Sequence, residues 1–136
     1  VMTETADAVI IGGGVMGCSI LYSLAERGMT NTVLLEKGDL CSGSTSRSMA
    51  VLRLHYSNDV TANLAWRSLQ IFRDFCDIVG RPSGYTKTGY LLILNESDRL
   101  AMIQNITMQQ AIGIATSELA VNEAEELLPM LRLNGN

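Results

Sequence analysis

The chain has 136 residues, 47% of them hydrophobic and 18% charged, with a net charge of −4 and an isoelectric point near 4.9. That composition can build a core, which excludes a disordered polar tail, and its acidity argues against a nucleic-acid partner, because phosphate contact needs a basic face. Three scattered cysteines (Cys18, Cys41 and Cys76), no CxxC pair and a single histidine, His55, speak against a metal site or a disulfide framework and fit a reducing compartment.

In chain order, Ala8-Val9-Ile10-Ile11 is a continuous apolar run, the pattern of a strand buried on both faces of a parallel sheet. Gly12 to Gly14 is a tight turn. Val15 to Arg27 is helical, with Val15, Cys18, Leu21 and Ala25 on one stripe, and Gly28 is placed to end it. Thr32-Val33-Leu34-Leu35 is a second buried strand, closed by Glu36. Strand, helix and strand form a βαβ unit. Val15-Met16-Gly17-Cys18 faintly resembles a lipoprotein cleavage site, but Glu4 and Asp7 precede it without Lys or Arg. No apolar run approaches the roughly 20 residues of a membrane span. The expectation is a soluble, cytoplasmic protein.

Cys41 to Ser48 is rich in small hydroxyl residues, so it reads as a loop or a polar helix start. Asn58 or Asp59 can cap a helix running to about Val79, with Leu64, Leu69, Phe72, Phe75 and Val79 on its apolar side. Trp66 reads as core. Gly80 stops that helix and Arg81-Pro82-Ser83-Gly84 is a turn. Tyr85 to Leu94 reads as a strand. Asn95 to Asp98 breaks it and caps a helix through about Ala111, in which Met102 and Met108 serve packing. A last short helix spans Val121 to Leu128, with Asn122 as cap, Glu125 at the third position and Pro129 as its stop. Glu123, Glu125 and Glu126 fit a solvated helix face better than acid–base catalysis.

Gly12-Gly13-Gly14-Val15-Met16-Gly17 satisfies GxGxxG. The spacing alone is weak, but here it follows a strand, opens a helix and precedes an acid, Glu36, at the end of the next strand. Gly12 permits the turn, Gly14 lets the backbone approach a pyrophosphate, and Gly17 lets the helix pack close to the sheet. The N–H groups of the first helical turn, with Val15 and Met16, then face the phosphates. Glu36 can accept hydrogen bonds from the adenosine ribose, which disfavours NADP and leaves NAD and FAD both open. Ser44, Thr45, Ser46 and Arg47 follow the second strand, where hydroxyls and N–H groups can bind pyrophosphate or line a flavin.

Taken together, Asp7 to Gly14, Leu34-Leu35-Glu36-Lys37-Gly38, Gly43-Ser44-Thr45-Ser46-Arg47-Ser48, Thr88-Gly89-Tyr90-Leu91 and Glu123 to Pro129 resemble the N-terminal part of the FAD-dependent amine and amino-acid oxidoreductases of the D-amino-acid oxidase superfamily. The nearest likeness is to sarcosine oxidase β-subunit-like and dimethylglycine dehydrogenase-like members. The resemblance implies an α/β fold: a Rossmann-like FAD-binding βαβ unit over 1–80 and the truncated beginning of a mixed α+β substrate domain over 81–136. It implies FAD as cofactor, with Gly12, Gly14, Val15, Met16, Gly17, Glu36 and Lys37 on the ADP part and Ser44, Thr45, Ser46 and Arg47 along the pyrophosphate and flavin. It further implies oxidation of the C–N bond of a small amine or amino acid (sarcosine, dimethylglycine, proline or a D-amino acid) by hydride transfer to the flavin. Other subunits of an oligomeric oxidoreductase are candidate partners.

The chain departs from that pattern in two places. No histidine lies between Ser44 and Ser48, where dimethylglycine dehydrogenase-like members attach FAD covalently, so that linkage is expected to be absent. Ala50 stands where sarcosine oxidase-like members carry a basic residue, which favours a dehydrogenase over an oxidase. Arg53 and His55 are weak catalytic candidates beside Tyr56, with a satisfied structural role as the competing reading of each. Because the sequence runs only to Leu133-Asn134-Gly135-Asn136, a piece of a longer enzyme is expected. An NAD-dependent dehydrogenase domain, or a non-catalytic dinucleotide-binding module or subunit, are the alternatives.

Overall fold

A computed structural model describes residues 5–131 of the chain, so both termini, including Val1, Met2, Glu4 and Leu133 to Asn136, lie outside the described residues. Its contacts separate into two compact units, Val1–Val51 and Leu52–Asn136.

In the first unit, β1 (Ala8–Ile11) pairs in parallel with β2 (Thr32–Leu35), Ala8 opposite Thr32 and Ile11 opposite Leu35. Parallel strands cannot be joined by a tight turn, and the connection is α1 (Val15–Glu26). The side chains of alternate residues point to opposite faces. Ala8, Ile10, Thr32 and Leu34 are at least half covered, whereas Val9, Ile11, Val33 and Leu35 are exposed, Ile11 at 87%. Burial on both faces, expected from the unbroken apolar run, is therefore found on one face, because among the described residues of this unit α1 is the element that packs on the strand pair.

The helix stripe also shifts. Gly17, Cys18, Leu21 and Leu24 are covered, while Val15 and Ala25 are exposed, since the closest approach to the strands is at Gly17. The end of α1 is as expected. Gly28 takes the left-handed conformation (φ +85°), its N–H donates to the Ala25 carbonyl at 2.9 Å, and the Met29 N–H donates to the Leu24 carbonyl at 3.0 Å. This is the paired bonding of a Schellman motif, which satisfies the last carbonyls of the helix.

The second unit begins with α2 (Asp59–Arg73), capped by Asn58, whose Oδ1 accepts the Thr61 N–H at 2.8 Å. The single helix expected to about Val79 is two helices. It breaks at Asp74, and α3 (Phe75–Val79) follows, stopped by Gly80 at φ +76°. At the break the Ser83 hydroxyl donates to the Phe72 carbonyl at 2.7 Å, giving one of the last carbonyls of α2 a partner from outside the helix. Phe72 and Phe75 stack across the break with ring centroids 6.2 Å apart. Leu64, expected on the apolar side, is exposed.

A 3-10 turn (Glu96–Asp98) leads into α4 (Arg99–Ile112), which ends at Gly113. α4 packs on α2. Ala62, Ile114 and Ala124 are buried, and Gly113 sits over the indole of Trp66. The one fully buried polar side chain among the described residues, Gln109, donates from Nε2 to the Tyr56 carbonyl at 3.0 Å. The last helix, α5 (Val121–Leu127), is one residue shorter than expected and is capped differently. Ala120 occupies the cap position, and the Glu123 carboxylate, rather than Glu125, reaches back to accept the Ala120 N–H at 2.7 Å.

One expectation changes with this architecture. Residues 85–94, including Thr88 to Leu91, form no strand among the described residues, because a strand needs a neighbour to bond to and none pairs with it. The compact units divide between Val51 and Leu52, and α2, which packs on α4, falls in the second unit.

Candidate functional site

The glycine turn lies in the first unit between β1 and α1. Gly12 has φ +105°, a conformation open to glycine at little cost. A Cβ built on Gly17 would overlap the Gly12 carbonyl oxygen and stand 3.3 Å from Ile10 Cγ2, so the missing side chain is what lets α1 approach β1. Gly14 caps α1 without a side chain. Its intended neighbour was a pyrophosphate; the atom that a Cβ would meet is Thr45 Oγ1, at 3.0 Å.

Two side chains from the chain after β2 hold this turn. The Glu36 carboxylate accepts the Gly13 N–H at 2.7 Å through one oxygen and the Gly38 N–H at 3.0 Å through the other. The Gly13 bond, then the Gly38 bond, hold its pKa below the ordinary carboxylate value, so Glu36 is an ionised, acceptor-only group at neutral pH. Each carboxylate oxygen has two lone pairs, which leaves Glu36 able to accept from ribose hydroxyls as well. The Thr45 hydroxyl oxygen accepts the Val15 N–H at 3.0 Å. The first bond of α1 runs from Cys18 N–H to the Gly14 carbonyl. The N–H groups of Met16 and Gly17 have no protein partner among the described residues, which is the donor set an anion needs at a helix start.

Gly13, treated as a spacer in the motif, turns out to be central. It is buried, donates to Glu36, and accepts the Cys41 N–H at 2.9 Å and the Cys18 thiol at 3.7 Å on its carbonyl. A Cβ there would lie 2.5 Å from Leu40 Cδ2 and 3.1 Å from Glu36 Cβ. The run of three glycines, one more than the motif requires, was the available signal.

Residues 39–48 form successive turns rather than a helix start, with Cys41 at φ +62°. Thr45 is the one partly covered residue of 42–50. Ser46 donates its hydroxyl to the Gly43 carbonyl at 3.3 Å. Ser44, Arg47 and Lys37 are exposed. The structure thus brings Gly12, Gly14, Gly17, Val15, Glu36 and Thr45 together and leaves Lys37, Ser44 and Arg47 at the surface.

Arg53 and His55 lie in the second unit. The Arg53 guanidinium stands 5.3 Å over the Tyr56 ring, a cation–π contact, and the His55 ring lies 6.2 Å from that of Tyr90. His55 and Tyr90 also line an open cleft of about 600 Å³, with Met102, Ile106 and Ala124 on its wall and the Arg99–Glu118 ion pair (3.0 Å) beside it. No group of three or more metal-binding side chains occurs among the described residues.

A profile of the family described as "FAD dependent oxidoreductase" (DAO) matches residues 7–136. The chain belongs to this family. The family is FAD dependent, and the free N–H groups of Met16 and Gly17 beside the ionised Glu36 fit the ADP half of that cofactor; the NAD reading is set aside. The chain is 32% identical over 135 residues to the mitochondrial sarcosine dehydrogenase of Mus musculus, covering 98% of this chain and 15% of that protein. It is 31% identical over 130 residues to the mitochondrial pyruvate dehydrogenase phosphatase regulatory subunit of Mus musculus, covering 95% of this chain and again 15% of the relative. Among solved structures, the L-proline dehydrogenase from P. horikoshii superposes with a TM-score of 0.83 at 29% identity, over 96% of this chain and 34% of that one. The match confirms an incomplete Rossmann-like FAD-binding fold. No helix among the described residues is long and apolar enough to cross a membrane.

Proposed function

We propose that the protein containing this chain oxidises the C–N bond of a small amine or amino acid, and that the first unit holds the ADP half of its FAD. The observation that carries the reading is the Glu36-held glycine turn inside a family match that runs from residue 7 to 136, with a sarcosine dehydrogenase and an L-proline dehydrogenase among the similar proteins. FAD bound there would supply the acceptor for a hydride from the carbon beside the nitrogen. The part of this chain is to bind and orient: Glu36 on the ribose, and the α1 N-terminus with Thr45 on the phosphates. Residues 81–136 would open the substrate domain, in which sarcosine, dimethylglycine, proline and D-amino acids are the candidate substrates and further subunits of the oxidoreductase the candidate partners.

A second reading has one specific support. The similarity to a phosphatase regulatory subunit is as strong as that to the sarcosine dehydrogenase, so a dinucleotide-binding module without turnover is the competing assignment. One experiment separates them. The full-length protein is purified, its flavin spectrum recorded, and sarcosine, dimethylglycine, proline and D-amino acids are added without oxygen. Bleaching by one of them supports the enzyme; a stable flavin spectrum with all of them supports the module.

A further inference from the structure

Two of the free cysteines meet at one atom. The Cys18 thiol donates to the Gly13 carbonyl oxygen at 3.7 Å, and the Cys41 N–H donates to the same oxygen at 2.9 Å. The Cys18 sulfur and the Cys41 main chain are thus no further apart than those two distances laid end to end. Both cysteines are partly exposed, so a small oxidant can reach them. Cys41 is also held in an uncommon shape: its backbone is left-handed (φ +62°), a conformation that disfavours residues with a side chain. Main-chain bonds fix it on both sides, since its carbonyl accepts the Ser46 N–H at 3.1 Å. Cys76, by contrast, is exposed in α3 of the second unit.

We propose that Cys18 and Cys41 are a redox pair, a site of reversible disulfide modification that loosens the hold of the glycine turn on FAD. The effect on FAD rests on the glycine turn being the FAD site. The oxidant is a low-molecular-weight disulfide such as oxidised glutathione. One cysteine attacks it as a thiolate, forms a mixed disulfide and releases one molecule of thiol; the other cysteine then displaces the second thiol and closes the Cys18–Cys41 bond. The two electrons and two protons that the protein thiols give up leave with the two released thiols. A disulfide needs its Cβ atoms about 3.5–4.5 Å apart, so closing it ties the loop at Cys41 to α1. It also removes the proton that Cys18 gives to the Gly13 carbonyl. Gly13 is the residue whose N–H the Glu36 carboxylate grips, so the disturbance falls on the centre of the turn. Such a bond belongs with the transient, redox-sensing disulfides rather than with a structural framework.

The test uses full-length protein stripped of flavin and equilibrated with mixtures of reduced and oxidised glutathione. Remaining thiols are blocked, the protein is digested without reductant, and the peptides are weighed by mass spectrometry; FAD affinity is read from the quenching of flavin fluorescence. A peptide pair joining Cys18 to Cys41, lighter by two hydrogen atoms than its parts, is expected. The oxidised protein should bind FAD about tenfold more weakly, within the usual range for coupled sites, and recover with dithiothreitol. Because coupling is reciprocal, saturating FAD should raise the proportion of oxidised glutathione needed to form the bond by the same factor. Cys18→Ser, which keeps a donor for the Gly13 carbonyl, and Cys41→Ser should each remove both the linked peptide and the response of FAD affinity to oxidant, whereas Cys76→Ser should keep both. Glutathione adducts without the Cys18–Cys41 peptide, or pairing with Cys76 instead, overturn the redox pair. A cross-linked protein with undiminished FAD affinity overturns its effect on the cofactor. Reduced wild type that takes up no FAD is a separate failure, that of the FAD site, and the linked peptide still reports on the pair.

Discussion

Gly17→Ala tests the packing on which the whole turn depends. The added methyl would overlap the Gly12 carbonyl oxygen, which is backbone and cannot swing aside as a side chain can. Overpacking of this kind costs about 1–3 kcal/mol. Against it stands the better helix propensity of alanine, worth at most about 0.8–1 kcal/mol, the interior value, at this first-turn position. The clash is with the main chain of the turn itself, so the upper part of that range applies and a net loss of about 1–2 kcal/mol is expected. The loss should appear twice: as a lower unfolding midpoint, and as reduced flavin content, since relief of the overlap must move either Gly12 or the start of α1. Gly43→Ala is the matched control, because a Cβ there meets nothing within 4 Å, and it should stay within about 0.5 kcal/mol of the wild type. The assay is thermal or urea unfolding of the full-length protein alongside flavin-to-protein absorbance ratios. If Gly17→Ala unfolds with the control and keeps its flavin, the close approach of α1 to β1 is wrong.

Two further predictions concern single side chains. The Gly13 and Gly38 N–H groups hold Glu36 in its charged form and lower its pKa, so its contribution is complete above the ordinary carboxylate pKa and fades as pH falls through the lowered folded value. Wild-type protein should therefore lose stability and flavin on acidification below about pH 4–5; Glu36→Gln, with one acceptor oxygen for two donors, should start weaker at neutral pH and show a shallower acid dependence, and identical acid profiles would refute the clamp. Gln109→Leu leaves the Tyr56 carbonyl without its partner in a buried site, so urea unfolding should show a loss of about 1–3 kcal/mol.

Much of the dinucleotide unit was legible in the residues because its physics is local. The apolar runs before Gly12 and Glu36, the helix between them and the Gly28 stop are set by near neighbours, and the structure keeps each within a residue or so. The cap at Asn58 is equally local, one side-chain oxygen reaching an N–H three residues on. Where the reading slipped, the deciding contact was distant. The break at Asp74 involves Ser83, which bonds the Phe72 carbonyl from 11 residues away. Residues 85–94 have a strand's composition, but composition supplies no partner.

The glycine turn shows the same division within one site. Sequence alone determined that Gly12, Gly14 and Gly17 stand at the spacing a strand–turn–helix needs, with an acid at the end of the next strand, because those requirements are stated in residue types and counts. Only the tertiary structure decided that Glu36 grips Gly13 and Gly38, that Glu36 and Leu40 crowd the place of a Gly13 side chain, and that Thr45 rather than its neighbouring serines caps α1. Those are facts of direction and distance across segments 23 and 30 residues apart, and no local pattern carries them.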